Sequence, residues 1–359
     1  MTNSHSKHSR NEVFNNDTLR QAVSLWFFNR GEAIRQHGHI STWNTSEVTN
    51  MMGLFNGAHN FDEDIGSWDV SKVINMSLMF CKAEKFNQYI GNWDVGNVTN
   101  MRMMFCGAIK FNQYIGSWDV SNVTDMSWMF RGIPISTNDM ISVYTNGFID
   151  TSIRERTMSF NQSIGNWDVG NVITMYGMFE FALLFDSCLE DWDVRKVIDM
   201  SYMFNHAFSF NSDISKWQID NVTNTRSMFG YAYKFNQDVS EWNVSNVVFM
   251  MGMFQNALSF EQDISKWNID VTNVQNPFTD VFSNFYNIIK GSALDRKLNG
   301  ESCFNKVVMK KLFQYKRRKD FLMFLVQSGY MPYQGTYQHD IYHKIYSNED
   351  MCRSIMSFI

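Results

Sequence analysis

Nine tryptophans recur at a fixed interval along the chain, and this periodicity restricts the possible folds to stacked repeats. Successive members are 25 residues apart, except for one step of 49 residues between Trp118 and Trp167. Such an interval is typical of supersecondary units that need their neighbours to bury an apolar face. The nine positions are Trp43, Trp68, Trp93, Trp118, Trp167, Trp192, Trp217, Trp242 and Trp267.

Each repeat reads as one short strand followed by one short helix. Counted from the tryptophan, the pattern is W-[DN]-V-x-x-V-x-[ND]-M-x-x-M-F-x-x-A-x-x-F-N-Q-x-I. Trp68 and Val70 alternate with Asp69, which predicts a strand with one face inward. The segment from Met76 to Ala83 has apolar residues at helical spacing. Strands of neighbouring units are expected to stack in parallel about 4.8 Å apart.

The residue before each predicted helix is usually a capping type. Its side-chain oxygen can accept from free N–H groups of the first helical turn. Phe249 is the exception, so that unit is predicted to lack the cap. The capping positions are Asn50, Asn75, Asn100, Asp125, Thr174, Asp199 and Asn224.

The repeats resemble the BspA-like leucine-rich repeat family, whose 25-residue unit also occurs in Mycoplasma lipoproteins of unknown function. The resemblance is carried by phrases such as WDVSNVTDMSWMF at 118–130 and FNQYIGNWDV at 86–95, and it extends from Trp43 to about Asn273. It implies a curved parallel-β solenoid used for adhesion or protein binding, and no catalytic residues. Unlike the bacterial members, this chain shows no signal peptide, lipobox or wall anchor.

These patterns predict an α/β repeat protein: a leucine-rich-repeat-like solenoid of short parallel strands and short helices, with an N-terminal helical cap and a small α-helical C-terminal module. Residues 1–17 are polar and aperiodic, which predicts a disordered tail. Residues 18–42 are expected to form a capping helix over the first unit. The solenoid of about nine repeats is placed at 43–290 and the helical module at 291–359.

An insert near 131–158 accounts for the long step between two tryptophans. It is predicted to bulge from a loop without disturbing the stack. Loops of this length inside compact arrays are often functional. A tolerated surface insertion is the alternative interpretation.

Composition bears on location and cysteine chemistry. The chain has no run of about 18 apolar residues, so no membrane span is predicted. The N-terminal residues are polar, so no signal sequence is predicted. The expected location is intracellular, with surface exposure by another route left open. The five cysteines show no metal-binding spacing, so no zinc site or cofactor is expected. Cys81 and Cys106 share one repeat position, which predicts neighbouring free thiols close enough to pair.

A basic tail follows an acidic body. From Gln275 onward the chain has 12 Lys and Arg against 7 Asp and Glu, although its net charge is −5. The basic patch could target the nucleus or bind nucleic acid, but a solvated helix face is favoured and nucleic acid is not the expected partner. The last residues, SNEDMCRSIMSFI, resemble tail helices of viral repeat proteins that recruit a ubiquitin ligase, which implies such a partner. The basic patch comprises Lys310, Lys311, Lys316, Arg317, Arg318 and Lys319.

Two columns of polar residues are candidate chemical sites. Asp69, Asp94, Asp119, Asp168 and Asp193 each follow a tryptophan. They could hold a cation or form an acid–base pair, but hydrogen bonding to turn N–H groups is favoured. The asparagines after the phenylalanines are predicted to form a buried ladder that satisfies turn carbonyls. These are Asn87, Asn112, Asn161, Asn211 and Asn236.

A line of large side chains is the best candidate for partner binding. Ten residues after a tryptophan, Leu78, Met103 and Trp128 follow one another on consecutive units, with Tyr202 farther along. Tyr89 and Tyr114 form a second adjacent pair. Exposed aromatic and Met side chains beside an insert favour a partner-binding surface. Packing against the insert or flanking units is the alternative.

The predicted function is a non-catalytic protein–protein interaction scaffold. The solenoid would present an extended surface to a protein partner, and the basic helical tail would recruit a second partner. An adhesive cell-surface or secreted BspA-like protein is the main alternative. An enzyme is a distant alternative, because the sequence shows no nucleophile motif and no phosphate-binding loop.

Overall fold

The computed structural model describes residues 12–136, 138–139, 142–143, 149–264, 266–268 and 288–297. Most of the predicted tail 1–17 and of the predicted module 291–359 lies outside these residues. None of the helices in the described ranges is long and apolar enough to cross a membrane. The α-helices are α1 (Asn16–Phe28), α2 (Arg30–His37), α3 (Thr151–Arg154) and α4 (Ala293–Lys297), and a 3-10 helix spans Ile40–Thr42.

The repeat tryptophans point into the core, as predicted. All nine are only 2–4% exposed. From Trp68 onward, each indole Nε1 donates to the backbone carbonyl of the residue three positions before the preceding repeat tryptophan. For example, Trp192 donates to Ile164 O at 3.0 Å, and Trp217 donates to Leu189 O at 3.0 Å. Each tryptophan therefore buries a large ring and satisfies a buried carbonyl at the same time.

The predicted α/β solenoid of short parallel strands and short helices is wrong in its elements. In the described residues, pairing between neighbouring units is limited to isolated parallel bridges, such as Asn50 with Asn75 and Asp125 with Thr174. The segment from 76 to 83, predicted as a helix, is a run of turns. The repeats are confirmed, but they are stacked coils built from turns and extended links.

Backbone hydrogen bonding explains why no helix forms in the repeat segments that the structure describes. Met76 and Leu78 donate their N–H groups to Asn100 O and Arg102 O of the next unit, at 3.0 and 2.8 Å. Met79 donates instead to Met76 O within its own unit, at 3.2 Å. An α-helix needs each N–H to reach the carbonyl four residues earlier. Because alternate N–H groups bond to the neighbouring unit, the helical spacing of apolar residues produces turns.

The residues predicted to cap helices instead organise these turns. The side chain of Asn75 accepts from Ser77 N at 2.9 Å, and that of Asp125 accepts from Ser127 N at 2.8 Å. Such Asx turns are a common use of Asn and Asp at the start of a tight bend. These side chains accept from nearby backbone N–H groups, as predicted, but the segment that follows them is a turn and not a helix.

Phenylalanine rings fill the centre of the stack in two columns. Phe80 and Phe86 of one unit stack with their ring centroids 4.0 Å apart. Phe80 also stacks on Phe105 of the next unit at 5.5 Å, and Phe86 on Phe111 at 5.9 Å. All four rings are fully buried. The core is thus a continuous stack of aromatic rings in which each unit packs against the next.

The N-terminal helices cover the first unit. Asn15 caps α1 by accepting from Thr18 N at 3.0 Å. Trp26 of α1 is buried and meets Trp43 edge to face at 5.9 Å. Val13 forms a parallel bridge with Asn44. Apolar edges of the first coil are therefore shielded by α1 and by the segment that precedes it.

The stack continues across the insert. Trp128 N donates to Tyr176 O at 2.8 Å, and the rings of Phe130 and Phe160 stack at 4.0 Å. The insert therefore leaves the stack undisturbed, as predicted. Its described residues pack on the outside of the following units and bury a small apolar cluster. That cluster comprises Ile135, Val143, Ile149, Ile153, Leu183 and Phe208.

Candidate functional site

The four residues predicted as a partner-binding line occupy one turn position of the repeat. Leu78, Met103, Trp128 and Tyr202 are all half-buried. Their φ angles lie between 56° and 61°, in the left-handed region. Non-glycine residues rarely adopt this conformation, and it costs roughly 1–3 kcal/mol. Large side chains are therefore held at a position where glycine would be the ordinary choice.

Two of these residues belong to a contiguous group that we call the aromatic–arginine cluster: Arg102, Trp128, Tyr176, Tyr202 and Arg226. The Trp128 ring meets Tyr176 edge to face at 4.6 Å, and Tyr176 meets Tyr202 at 5.7 Å. Arg102 lies 4.9 Å over the Trp128 ring, and Arg226 lies 5.8 Å over the Tyr202 ring. The three rings are half-buried and both arginines are exposed.

Arg102, Tyr176 and Arg226 are not among the residues predicted from the sequence. Each of the three lies nine residues after a repeat tryptophan, whereas Trp128 and Tyr202 lie ten residues after one. The cluster therefore alternates between two neighbouring repeat positions on successive units. Reading both positions together would have found them. The glycine at 177 makes the packing possible, because a Cβ on Gly177 would lie 2.5 Å from Trp128 Cδ1.

The polar tips of the cluster remain available to a ligand. In the part of the chain that the structure describes, Trp128 Nε1 has no protein acceptor, unlike the indoles of the nine repeat tryptophans. Burial raises the pKa of the Tyr176 hydroxyl, with Glu180 adding to the effect. This hydroxyl therefore stays protonated and can donate at neutral pH.

Tyr89 and Tyr114 form a separate exposed pair. They are 53% and 45% exposed. Each ring lies over a glycine two residues later, since a Cβ on Gly91 or Gly116 would come within 2.8 Å of it. No ring contact among the described residues joins either tyrosine to the aromatic–arginine cluster. The predicted partner-binding residues are therefore placed in two surfaces.

The aspartates after the tryptophans are turn residues, as the favoured interpretation predicted. Asp69 accepts from Ser71 N, and Asp119 accepts from Ser121 N, both at 3.0 Å. Hydrogen bonds from the serine hydroxyl and N–H lower the pKa of both carboxyl groups. Within the described ranges, no group of three or more His, Cys, Asp or Glu residues could hold a metal ion.

The predicted asparagine ladder is half-buried or exposed, and its hydrogen bonds run the other way. The Asn87 side chain accepts from Asn112 N, and that of Asn211 accepts from Asn236 N, at 3.0 and 2.8 Å. The carbonyls of Asn87, Asn211 and Asn236 accept from a glutamine of the next unit, as when Gln113 Nε2 donates to Asn87 O at 2.7 Å. Asn therefore accepts and Gln donates, which joins adjacent units at the surface.

Cys81 and Cys106 are buried free thiols on adjacent units, as the repeat predicted. A hydrogen bond between the two side chains lowers the pKa of Cys106 and raises that of Cys81. The Arg131 guanidinium also favours the Cys106 thiolate. The positive charge of Arg131 is balanced mainly by Glu180, whose Oε2 lies 2.6 Å from Arg131 Nε.

The predicted basic patch lies outside the described residues. So does the terminal segment resembling an F-box-like tail. Both predictions remain tied to the sequence alone. The patch comprises Lys310, Lys311, Lys316, Arg317, Arg318 and Lys319.

Comparison with known protein families identifies the repeats. A family model described as "Mycoplasma protein of unknown function, DUF285" matches residues 21–144, 151–232 and 212–311. These ranges cover well over half of the chain and include all nine repeat tryptophans. No curated protein and no solved structure matches the chain.

Proposed function

We propose that this chain, which belongs to the DUF285 family described as Mycoplasma protein of unknown function, is a non-catalytic scaffold that binds another protein. The aromatic–arginine cluster is the surface that would contact the partner. The stacked units supply a rigid support, because each unit is hydrogen-bonded to the next through its backbone. Binding residues on such a support lose little conformational freedom when a partner docks.

The composition of the cluster is the observation that supports this proposal. Trp, Tyr and Arg are the residue types most enriched at binding hot spots. Trp128 and Tyr202 have left-handed backbone conformations, which lower the stability of the fold. Met103 stands one unit before Trp128 and extends the line. A purely structural coil would be served by glycine there, as at Gly177 and Gly252.

Serine substitutions test the proposal on the full chain. We expect Trp128→Ser and Met103→Ser to weaken binding of a co-purifying protein, by about tenfold or more for Trp128. The melting temperature should change little, because both side chains are half-buried and outside the core. Quantitative pull-down and thermal unfolding measure the two effects.

Ile74→Ser is a matched control, because Ile74 is 51% exposed at a different repeat position. It should leave partner capture unchanged. Unaltered binding by Trp128→Ser would remove the cluster as the contact surface. A collapse of stability in either variant would instead assign the side chain to the core.

The C-terminal tail is proposed to recruit a second partner, with a ubiquitin-ligase component as the specific candidate. This rests on the basic patch and the terminal resemblance in the sequence. Replacing the six basic residues with glutamine in the full chain should remove one captured protein and leave the partner of the cluster bound. Loss of both proteins, or of neither, would contradict separate roles.

The finer family assignment and the location are also proposals. The repeat phrases support a BspA-like leucine-rich repeat relationship, and that relationship would favour an adhesive surface role. An intracellular scaffold is the location proposed for this chain, and an adhesive surface protein is the alternative. Microscopy of a tagged chain, with surface proteolysis as the second readout, separates the two.

A further inference from the structure

Two arginines differ from the others in the described residues. Arg102 and Arg226 donate no guanidinium hydrogen bond and form no ion pair with a protein group. Every other described arginine donates to a protein acceptor. Those residues are Arg20, Arg30, Arg35, Arg131, Arg154, Arg156, Arg195 and Arg296.

Both exceptions lie on the aromatic–arginine cluster. Each is held over a ring face, Arg102 on Trp128 and Arg226 on Tyr202. A guanidinium over a ring is oriented but keeps its N–H groups free. With the indole N–H and the tyrosine hydroxyls, the free polar groups here are mainly donors. The complementary ligand is therefore rich in acceptors and negatively charged.

Nearby carboxylates do not neutralise these two arginines. Glu180 is paired with Arg131 at 2.6 Å. Asp199 accepts from the backbone N and the hydroxyl of Ser201, at 2.8 and 2.6 Å. In the described residues neither acid forms an ion pair with Arg102 or Arg226, so the charge on the two cluster arginines is available for a partner.

We propose that the aromatic–arginine cluster binds an acidic peptide segment of the partner protein. Its carboxylates would pair with Arg102 and Arg226, and an apolar side chain between them would lie against the three rings. This inference rests on the proposed scaffold function and specifies the chemistry of the partner.

The length of the segment follows from the stack. Arg102 and Arg226 belong to units four steps apart. Parallel backbone pairing, as in the bridges between neighbouring units, spaces chain segments about 4.8 Å apart, so the segment spans about 19 Å, or about six extended residues. Both guanidiniums lean inward over Trp128 and Tyr202, so this is the upper limit of the separation between the two acidic groups.

A peptide fits the surface better than a single-stranded nucleic acid. Bases bind by stacking on open aromatic faces. Here Arg102 and Arg226 cover ring faces of Trp128 and Tyr202, and the rings meet edge to face. Carboxylates instead reach the guanidinium edges, which are free.

Direct binding tests the inference with the full chain. The probe is a fluorescein-labelled peptide of about 12 residues, with Glu pairs about six residues apart and Leu and Phe between them. A Glu→Gln peptide and a single-stranded RNA of about 12 nucleotides are the comparison probes. Fluorescence anisotropy is measured at low and physiological salt, since ion pairs at exposed sites weaken with salt.

The acidic peptide should bind at least about tenfold more tightly than its Gln version. Arg102→Gln and Arg226→Gln should each reduce that preference several-fold. Arg195→Gln should leave it unchanged, because Arg195 is exposed but paired with Asp193 at 2.7 Å. Circular dichroism of each variant confirms that the fold is retained.

Equal binding of the two peptides, or an acidic preference that survives both arginine substitutions, overturns the inference. So does tighter binding of the RNA through the same arginines. If Trp128→Ser still weakens capture of a protein partner in those cases, the scaffold proposal stands and only the acidic chemistry fails. If Trp128→Ser has no effect on either probe or partner, both fail.

Discussion

Individual polar atoms in this protein are satisfied mostly by residues one unit away. The Trp93 indole donates to Ile65 O at 3.3 Å, and Gln113 donates to Asn87 O at 2.7 Å. Buried polar groups left without partners typically cost about 1–3 kcal/mol each. Repetition of the same residue at the same position therefore repeats the same favourable bond along the stack. Trp128 differs from the nine repeat tryptophans, because its N–H has no such acceptor among the residues that the structure describes.

His206 provides a prediction on acid stability. Its ring is sandwiched between Phe181 and Tyr231, each with a centroid 4.4 Å away. Burial lowers the pKa of His206 to about 4. Since the unfolded-state pKa is about 6.5, the unfolded chain binds the proton more readily. The free energy of unfolding is therefore unaffected by His206 above about pH 6.5. It falls by roughly 3 kcal/mol as the pH decreases from there toward 4.

His206→Phe should reduce this acid sensitivity, because Phe can occupy the stack without a titratable group. Urea unfolding at pH 7 and pH 4.5 gives the two free energies for each protein. Wild type should lose more stability than the variant between these values. An equal loss in both would show that other groups control the acid response.

Within one unit, the element that matters is a run of turns whose N–H groups point alternately inward and to the neighbouring unit. Lys82 N donates to Cys106 O at 2.7 Å, while Ala83 N donates to Phe80 O at 3.0 Å. This alternation requires left-handed residues at repeated positions. Lys82 has φ 58°, and the equivalent Gly107 has φ 71°. The same place is therefore occupied by glycine in some units and by larger residues in others.

Lys82→Gly should stabilise the protein. Lys82 is exposed, so little packing is lost, and glycine adopts the left-handed conformation without strain. Relief of about 1–2 kcal/mol is partly offset by the greater freedom of glycine in the unfolded chain, leaving roughly 0.5–1 kcal/mol. Lys85→Gly is the control and should destabilise, because Lys85 is exposed without positive φ. A loss of stability in Lys82→Gly, measured by chemical denaturation, would contradict the strain argument.

At the scale of the whole molecule, stability depends on contacts between neighbouring units. Arrays of this kind behave as a series of units coupled to their nearest neighbours. The insert does not interrupt that coupling, because Phe130 stacks on Phe179 of the following unit at 5.7 Å. It adds a second apolar cluster outside the main core, against Leu183 and Phe208.

Deleting residues 133–156 should therefore preserve the stack. Gly132 would be joined to Thr157, which restores the 25-residue interval and keeps the buried Thr157 in place. Loss of the insert exposes Leu183 and Phe208, so we expect a lower melting temperature and increased binding of a hydrophobic dye. Cooperative unfolding should persist. A deletion variant that fails to fold would show that the insert holds the two halves together.

The sequence by itself determined the repeat, its interval and which side chains face inward. Trp68, Met76 and Phe80 are buried as their spacing predicted, because the period of apolar residues depends on the side chains alone. Turn roles for Asp69 and Asn75 were also readable, since Asx turns are local. The position of the insert was likewise predicted from the one break in an otherwise regular tryptophan interval.

Only the tertiary structure decided the secondary structure within each unit. The spacing from Met76 to Ala83 suits a helix, and nothing local distinguishes a helix from a series of turns with the same period. The choice depends on whether Leu78 N bonds within its own chain segment or to Arg102 O of the next unit. The aromatic–arginine cluster likewise needed the stack, because Arg102, Trp128 and Tyr176 come together only when three units lie side by side.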